Sequence, residues 1–324
     1  MINRKAVLVI LAALMGWCIF ATPSFSQEKD ETILRVGVIP LVEHIPILLA
    51  QNELAASGVS KTKVVLDIYT SWTGLEAAFR TGAIDMAAIT LPKALLMSYE
   101  GISLKIMLVV NRNGSAVVLK GGDSAKDLMG KITGGDGNDT MDLIVFSRFL
   151  KDRKLKLGYE VRSLLVPFNK GISLLKEDRL YGFCFPEPYG ALAEKEGVAK
   201  KMFLSKDIYP NHVGSVLIVN PNALKTHGDT IKVFIKSVIK QSAVIEKNKQ
   251  ESQGKQTAMA QVNIFKIEPG IVGKVLTTPT DRILFKDLTP TVKEADEVMK
   301  ALMSLGILSG NVNLKDIIDT RYCE

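Results

Sequence analysis

Short apolar runs alternate with helical patterns along this chain, and one helix–strand–helix pattern occurs twice. Ile33 to Val38, Val64 to Tyr69, Ala87 to Thr90 and Ile106 to Val110 read as buried strands. Between them run a helix that opens near Pro46 and stops at Gly58, and another led by Ser71-Trp72-Thr73-Gly74. The second carries Leu75, Ala78 and Phe79 on one face and ends at Gly82. Pro92 sits where a first helical turn tolerates it. Such alternation demands an α/β sheet covered on both faces.

The second stretch repeats the theme. Ser115 to Lys120, a short segment near Ile132, Val161 to Val166 and Tyr181 to Phe185 are strands. Gly134 to Asp139 opens a helix through Phe146 and Leu150, Lys170-Gly171-Ile172 opens the next, and Pro186-Glu187-Pro188-Tyr189 the one after. The path from Gly74 through Arg80-Thr81-Gly82-Ala83-Ile84-Asp85 to Pro92 matches that from Gly171 through Lys176 to Tyr181 and Pro188. One module used twice implies two related α/β lobes facing each other. After the strand Ser215 to Val219, Ile231, Phe234, Ile235, Val238 and Ile239 keep helical spacing, and a helix near Val292 to Leu305 follows a polar break at Glu251 to Lys255. This helical tail is expected to pack back on the first lobe. The expected organisation is then lobe 1 over residues 27–112, lobe 2 over 113–212, and lobe 1 again with C-terminal helices over 213–324. The chain would cross between lobes near Arg112–Ser115 and Pro210–Gly214.

Residues 1–26 read as an export signal. Asn3-Arg4-Lys5 precedes the uncharged apolar run Ala6–Ala21, and Ser24-Phe25-Ser26 offers a cut before Gln27. A retained anchor is the alternative. Trp17 before Cys18 is too large for a lipobox. A periplasmic location follows. The net charge of +7 includes Arg4 and Lys5, the remainder is scattered, and aromatics are only 6%, so no nucleic-acid surface is expected. Cys184 and Cys323 are left after cleavage, with free thiols or a pair both open. His44, His212 and His227 are too dispersed for a metal site, and no cofactor motif is present.

In open α/β sheets a ligand lies beyond the carboxyl ends of the strands, where helix N-termini present unpaired N–H groups. Those ends carry His44, Ser71, Trp72, Thr73, Thr90, Gly135, Asp136, Asn138 and Asp139, with Glu187, Tyr189 and His212 from the later loops. These are the candidate ligand-binding residues, with His44, Ser71 to Thr73, Thr90 and Asn138 or Asp139 read as helix caps. Trp72 is either a lid over the ligand or a packing anchor.

Several segments resemble a known family. Leu34–Pro40 (LRVGVIP) is similar to its first strand and loop, Ala78–Ala87 to its L-x-x-G-x-I-D-x-A segment, and Gly182–Tyr189 to its E-P-[WYF] element. Leu204–His212, Leu288–Pro290 and Asp319–Tyr322 resemble its later segments. The family is that of the solute-binding proteins of ABC importers of the nitrate/sulfonate/taurine type, including thiamine-precursor binders. The resemblance implies a type II periplasmic binding protein fold. Two lobes joined by two hinge crossovers would close on a small molecule and deliver it to an ABC permease and its ATPase. A non-catalytic monomer with no cofactor is expected.

The nitrate branch does not carry over residue by residue. Its Trp is kept as Trp72, but its G-T-H-N turn reads Gly135-Asp136-Gly137-Asn138, its G-E-P-W reads Pro186-Glu187-Pro188-Tyr189, and its H-P-E-K reads His212-Val213-Gly214-Ser215. Glu43, Asp136, Asp139, Asp142 and Glu187 would repel an oxyanion, although Lys93, Arg112 and Lys170 could reach the mouth of the cleft. A neutral or nitrogen-bearing organic solute fits better. The alternatives are an enzyme on the same fold, of pyrimidine- or menaquinone-pathway type with His44 or His212 as general base, and a periplasmic ligand sensor.

Overall fold

The computed structural model describes residues 32–58 and 63–323; the export signal expected over residues 1–26 lies outside them. The first sheet comprises β1 (Ile33–Val38), β2 (Lys63–Ile68), β3 (Met86–Thr90), β4 (Lys105–Val109) and β11 (Ser215–Val219), in the order β2-β1-β3-β11-β4. The second comprises β6 (Ser115–Leu119), β7 (Ile132–Gly135), β8 (Arg162–Leu165), β9 (Gly182–Pro186) and β10 (Lys201–Leu204), in the order β10-β6-β9-β7-β8. In each sheet four strands run in one direction and one, β11 or β6, runs antiparallel between two of them. The central strands β3, β6, β9 and β11 are buried along their whole length, as strands covered on both faces must be. This is the α/β arrangement of two lobes that the strand–helix alternation implies.

Local chemistry sets the elements around the lobe edges. Ser71 takes an extended backbone and its Oγ accepts the Gly74 N–H at 3.2 Å, which starts helix Trp72–Arg80. Trp72, Leu75 and Phe79 recur every three or four residues, so this helix buries one face. Gly82, at φ +73°, turns the chain into β3 by way of a backbone conformation glycine adopts without strain. Phe79 is almost wholly enclosed; truncation to alanine would cost about 3–5 kcal/mol.

The two crossovers lie side by side. β5 (Arg112–Asn113) pairs antiparallel with β12 (Ile283–Leu284), and Arg112 also bridges to Val213 of the return crossover. Neither short strand, nor the edge strand β10, stands out in the sequence. The tail packs mainly on the first lobe: helix Pro221–Glu251 lies along helix Ile45–Ser57, and helix Val292–Ser304 along helix Leu91–Tyr99. It also reaches the second lobe, where helix Pro269–Thr277 meets helix Tyr189–Lys195 and Lys274 pairs with Glu194 at 2.9 Å. Cys184 and Cys323 do not form a disulfide. Among the described residues no helix is long and apolar enough to cross a membrane.

Candidate functional site

The carboxyl ends of the two sheets face each other, and the loops beyond them form a buried polar cluster. After β1 the chain makes a short 3-10 turn, Val42–His44, which buries Glu43 and His44. The Ser215 hydroxyl, at the start of β11, donates to Glu43 Oε1 at 2.5 Å. After β7 come Asp136 and, in the first turn of helix Met141–Lys151, Asp142; both are buried. Asp136 accepts from Trp72 Nε1 at 2.7 Å and from Thr140 Oγ1 at 2.8 Å. Asp142 bonds to the Ser115 hydroxyl and to Asp136. Three carboxyl groups from two lobes are thus withdrawn from water together.

Their ionisation follows from that. Burial pushes the Glu43 carboxyl up to about 7, with the Ser215 hydrogen bond opposing and the Asp136 charge adding. Burial also raises Asp136 against the hydrogen bonds from Thr140 and Trp72. Asp142 is raised well above the usual carboxylate range, by burial first and the Asp136 charge second. His44 goes the other way: burial lowers it to about 4, leaving a neutral ring at physiological pH. Its Nδ1 lies 2.9 Å from the Ile39 carbonyl oxygen, and its Nε2 lies 3.4 Å from Ser215 Oγ.

Contacts across the cleft close the lobes on one another. Besides the Trp72–Asp136 bond, Lys93 of the first lobe donates to Asp139 of the second at 2.7 Å, and to Glu76 at the same distance. The Val42 N–H donates to the Glu187 carbonyl at 3.1 Å. Trp72 sits edge-on to His44 and Phe168, with centroids 5.9 and 6.2 Å away, and Phe168 stacks on Tyr189 at 5.3 Å. An aromatic wall therefore flanks the carboxyl cluster.

The candidate residues fall into distinct places. His44, Trp72, Thr90 and Asp136 lie in or against the cluster, Gly135 ends β7, and Tyr189 belongs to the aromatic wall. Asp139 is held by Lys93, while Ser71 caps its helix. Thr73 and Asn138 are exposed. The Glu187 side chain is fully buried and pairs with Arg282, whose Nε donates at 2.7 Å; its other oxygen accepts the Ala191 N–H at 3.1 Å. His212 lies at the hinge, lining a surface cavity of about 580 Å³ with Arg112, Tyr209 and Glu294. A cavity of about 650 Å³ lies farther off, between helix Pro221–Glu251 and the segment Phe285–Thr289.

The caps differ from the sequence reading. Neither His44 nor Thr90 makes a side-chain cap bond, and Thr140 rather than Asn138 or Asp139 caps helix Met141–Lys151 by accepting the Leu143 N–H at 3.4 Å. The extended backbone at Thr140 puts its oxygen over the first turn, which the two preceding side chains do not reach. Arg112 is taken up by Glu294 and backbone carbonyls, and Lys170 is exposed. Sequence reasoning did not place Ser115, Thr140, Ser215 and Phe168 at the site, and read Glu43 and Asp142 only as nearby charges. One signal was available: both crossovers read Asn-x-x-Gly-Ser, at Asn111–Ser115 and Asn211–Ser215. Among the described residues no three His, Cys, Asp or Glu side chains are arranged to hold a metal ion.

Comparison with known proteins agrees with the two-lobed fold. The chain is similar to the ligand-binding component of an ABC-type import system from Staphylococcus aureus, solved with zinc bound (TM-score 0.79, 18% identity, 90% of this chain and 97% of that one). It is similar to the periplasmic nitrate-binding protein NrtA from Synechocystis (TM-score 0.80, 14% identity, 91% and 87%). It also matches the alkanesulfonate-binding protein SsuA from Xanthomonas axonopodis pv. citri, bound to MOPS (TM-score 0.74, 13% identity, 89% and 98%). These likenesses establish the periplasmic binding protein fold. Among curated proteins, the bicarbonate transport ATP-binding protein CmpC of Synechocystis is 25% identical over 66% of this chain, and the nitrate import ATP-binding protein NrtC is 21% identical over 68%. The chain spans only 35% and 36% of their lengths. The model of the NMT1-like family matches residues 27–262, most of the sequence, and the chain belongs to that family.

Proposed function

We propose that this protein is the extracytoplasmic solute-binding component of an ABC-type importer. It captures a small polar organic molecule between its two lobes in the periplasm and hands it, as a monomer, to a membrane permease driven by an ATPase. The observation that carries this reading is the cleft: sheet ends from both lobes meet over a buried polar cluster, and the lobes are joined through paired crossover strands. That is the geometry of hinge closure around a ligand. The relatives named for bicarbonate and nitrate import, and the binding proteins that share the fold, support the same reading.

A catalytic role has less support. Ser215, His44 and Glu43 are neighbours, but the serine donates directly to Glu43, and His44 Nδ1 faces the Ile39 backbone rather than a carboxylate. Glu43 lies 3.5 Å from Nε2, on the same side of the ring as Ser215, rather than behind the imidazole at Nδ1 where an orienting acid would stand. The test is small-angle scattering on the protein after partial unfolding, dialysis and refolding, before and after returning the dialysed small molecules. The expected result is a smaller radius of gyration on their return, with a heat of binding. An unchanged radius and no heat would defeat the proposal.

A further inference from the structure

We propose that the solute is an organic cation, a protonated amine or amidine, whose nitrogen is held by Glu43, Asp136 and Asp142 beside the Trp72–Phe168 wall. This rests on the solute-binding reading above and names the ligand's charge.

The first support is charge balance. Among the described residues, the cations nearest this line are already matched: Lys93 by Asp139 and Glu76, Arg282 by Glu187, Arg112 by Glu294. The three cluster carboxyls have hydroxyl, indole and carboxyl partners, and Glu43 also lies 3.5 Å from the His44 ring, which burial keeps neutral, so none of the partners is cationic. An anion entering here meets carboxylates in a site poor in water, where like charges repel most strongly. A cation relieves that repulsion.

The second, independent support is a set of unpartnered acceptors. Thr90 Oγ1 and Asp142 Oδ1 are buried with no hydrogen-bond partner, although groups so enclosed are normally satisfied. Thr90 is the direct cross-strand neighbour of Ser215, so the two side chains share a face, and the Ser215 hydroxyl already points at Glu43. Thr90 is thereby aimed into the cluster, and its hydroxyl is not spent on capping the helix it precedes. N–H groups of an ammonium or amidinium would satisfy these acceptors. The aromatic wall favours an organic ion over a bare metal, since ring faces attract cations and cover their apolar parts.

Protons compete for the same place. Glu43, at about 7, faces Ser215, neutral His44, and the carboxyls of Asp136 and Asp142. It is about one-tenth ionised at pH 6 and about nine-tenths at pH 8, so cation affinity should be about tenfold weaker at pH 6.

The experiment is titration calorimetry at pH 8 and pH 6 with methylammonium, acetamidinium and benzamidinium chlorides. Nitrate, methanesulfonate, urea and calcium are the comparators. At least one organic cation is expected to bind, with the pH dependence above and no anion competing. Glu43→Gln and Asp142→Asn should each weaken it at least tenfold, and Thr90→Val, which keeps the side-chain shape, about fivefold. Thermal melts of each ligand-free variant confirm that it folds. Binding of an anion, of urea or of calcium alone, unaffected by Thr90→Val, overturns the cation proposal while leaving solute capture standing. Silence from every probe, together with no contraction on returning dialysed solutes, overturns both.

Discussion

Replacing Glu187 with glutamine separates two roles that its position in the E-P-Y element leaves open, ligand contact and scaffold. The structure shows a carboxylate with both oxygens engaged: Oε1 by Arg282, Oε2 by the Ala191 N–H at 3.1 Å. The two side chains are 0% and 1% exposed. Glutamine keeps the shape but leaves the Arg282 charge buried without a counter-charge, and breaking such a pair from one side costs about 3–5 kcal/mol. At about 2–4 °C per kcal/mol, the melting midpoint should fall by roughly 10 °C. Arg282→Met should cost a similar amount. The double variant Glu187→Leu/Arg282→Met should recover most of the loss, because it leaves neither charge stranded. Thermal denaturation of the four proteins, followed by circular dichroism, measures the cycle. If Glu187→Gln melts within about 2 °C of the parent and loses solute affinity instead, the carboxylate faces the ligand and the scaffold reasoning fails.

Three further outcomes are expected. Glu43, raised to about 7 from 4.5, holds in the fold a proton that the unfolded chain releases, so its stabilisation is full below about pH 4.5 and lost as pH rises through 7. His44 and His212, lowered to about 4 from 6.5, act oppositely and lose stability as pH falls below 6.5. The melting midpoint of Glu43→Gln minus that of the parent should therefore increase between pH 5 and pH 8, and a pH-independent difference rejects the assignment. Lys93→Met removes the ion pair that spans the cleft and should enlarge the radius of gyration of the ligand-free protein in small-angle scattering; an unchanged radius rules out the pair as a latch. The Cys184 thiol, buried and pushed well above its ordinary range by burial and by Asp142 and Asp136, should resist a thiol reagent until the protein unfolds, whereas half-buried Cys323 reacts first.

What the sequence discloses is local, and what it hides is pairing at a distance. Ser71 is legible as a cap because the N–H it receives lies only three positions along the chain. The polar run Asp136–Thr140 offered several caps, and only the tertiary bonds decide: Trp72 and Thr140 claim Asp136, and Lys93 claims Asp139. Glu187 read as a cleft charge because Arg282, its partner, stands far along the chain in a segment with no motif of its own. The strand β10 was missed since it is a short edge strand that begins with a lysine and pairs only with β6. Strand–helix alternation and the doubled module carried the fold class, because periodicity records burial directly.

The doubled module also accounts for the cluster. The orders β2-β1-β3-β11-β4 and β8-β7-β9-β6-β10 coincide when β1 is matched to β7, β3 to β9 and β11 to β6, with parallel and antiparallel pairs preserved. The first turn after β1 then corresponds to the first turn after β7, which are the turns that bring Glu43 and Asp142. Ser215 opens β11 and Ser115 opens β6, each following the Gly of an Asn-x-x-Gly-Ser crossover. Each serine bonds the carboxyl of its own lobe, Ser215 to Glu43 and Ser115 to Asp142. These two bonds are internal to a lobe and do not depend on the other one. What closure adds is the Trp72–Asp136 bond, the Lys93–Asp139 pair, and the mutual repulsion of carboxyls brought together in a dry cleft. On the cation proposal, protons on the cluster favour closure without a ligand, and a positive charge from outside favours it at higher pH. A solute that supplies that charge stabilises the closed form by more than its own contacts, because it removes the term that holds the lobes apart.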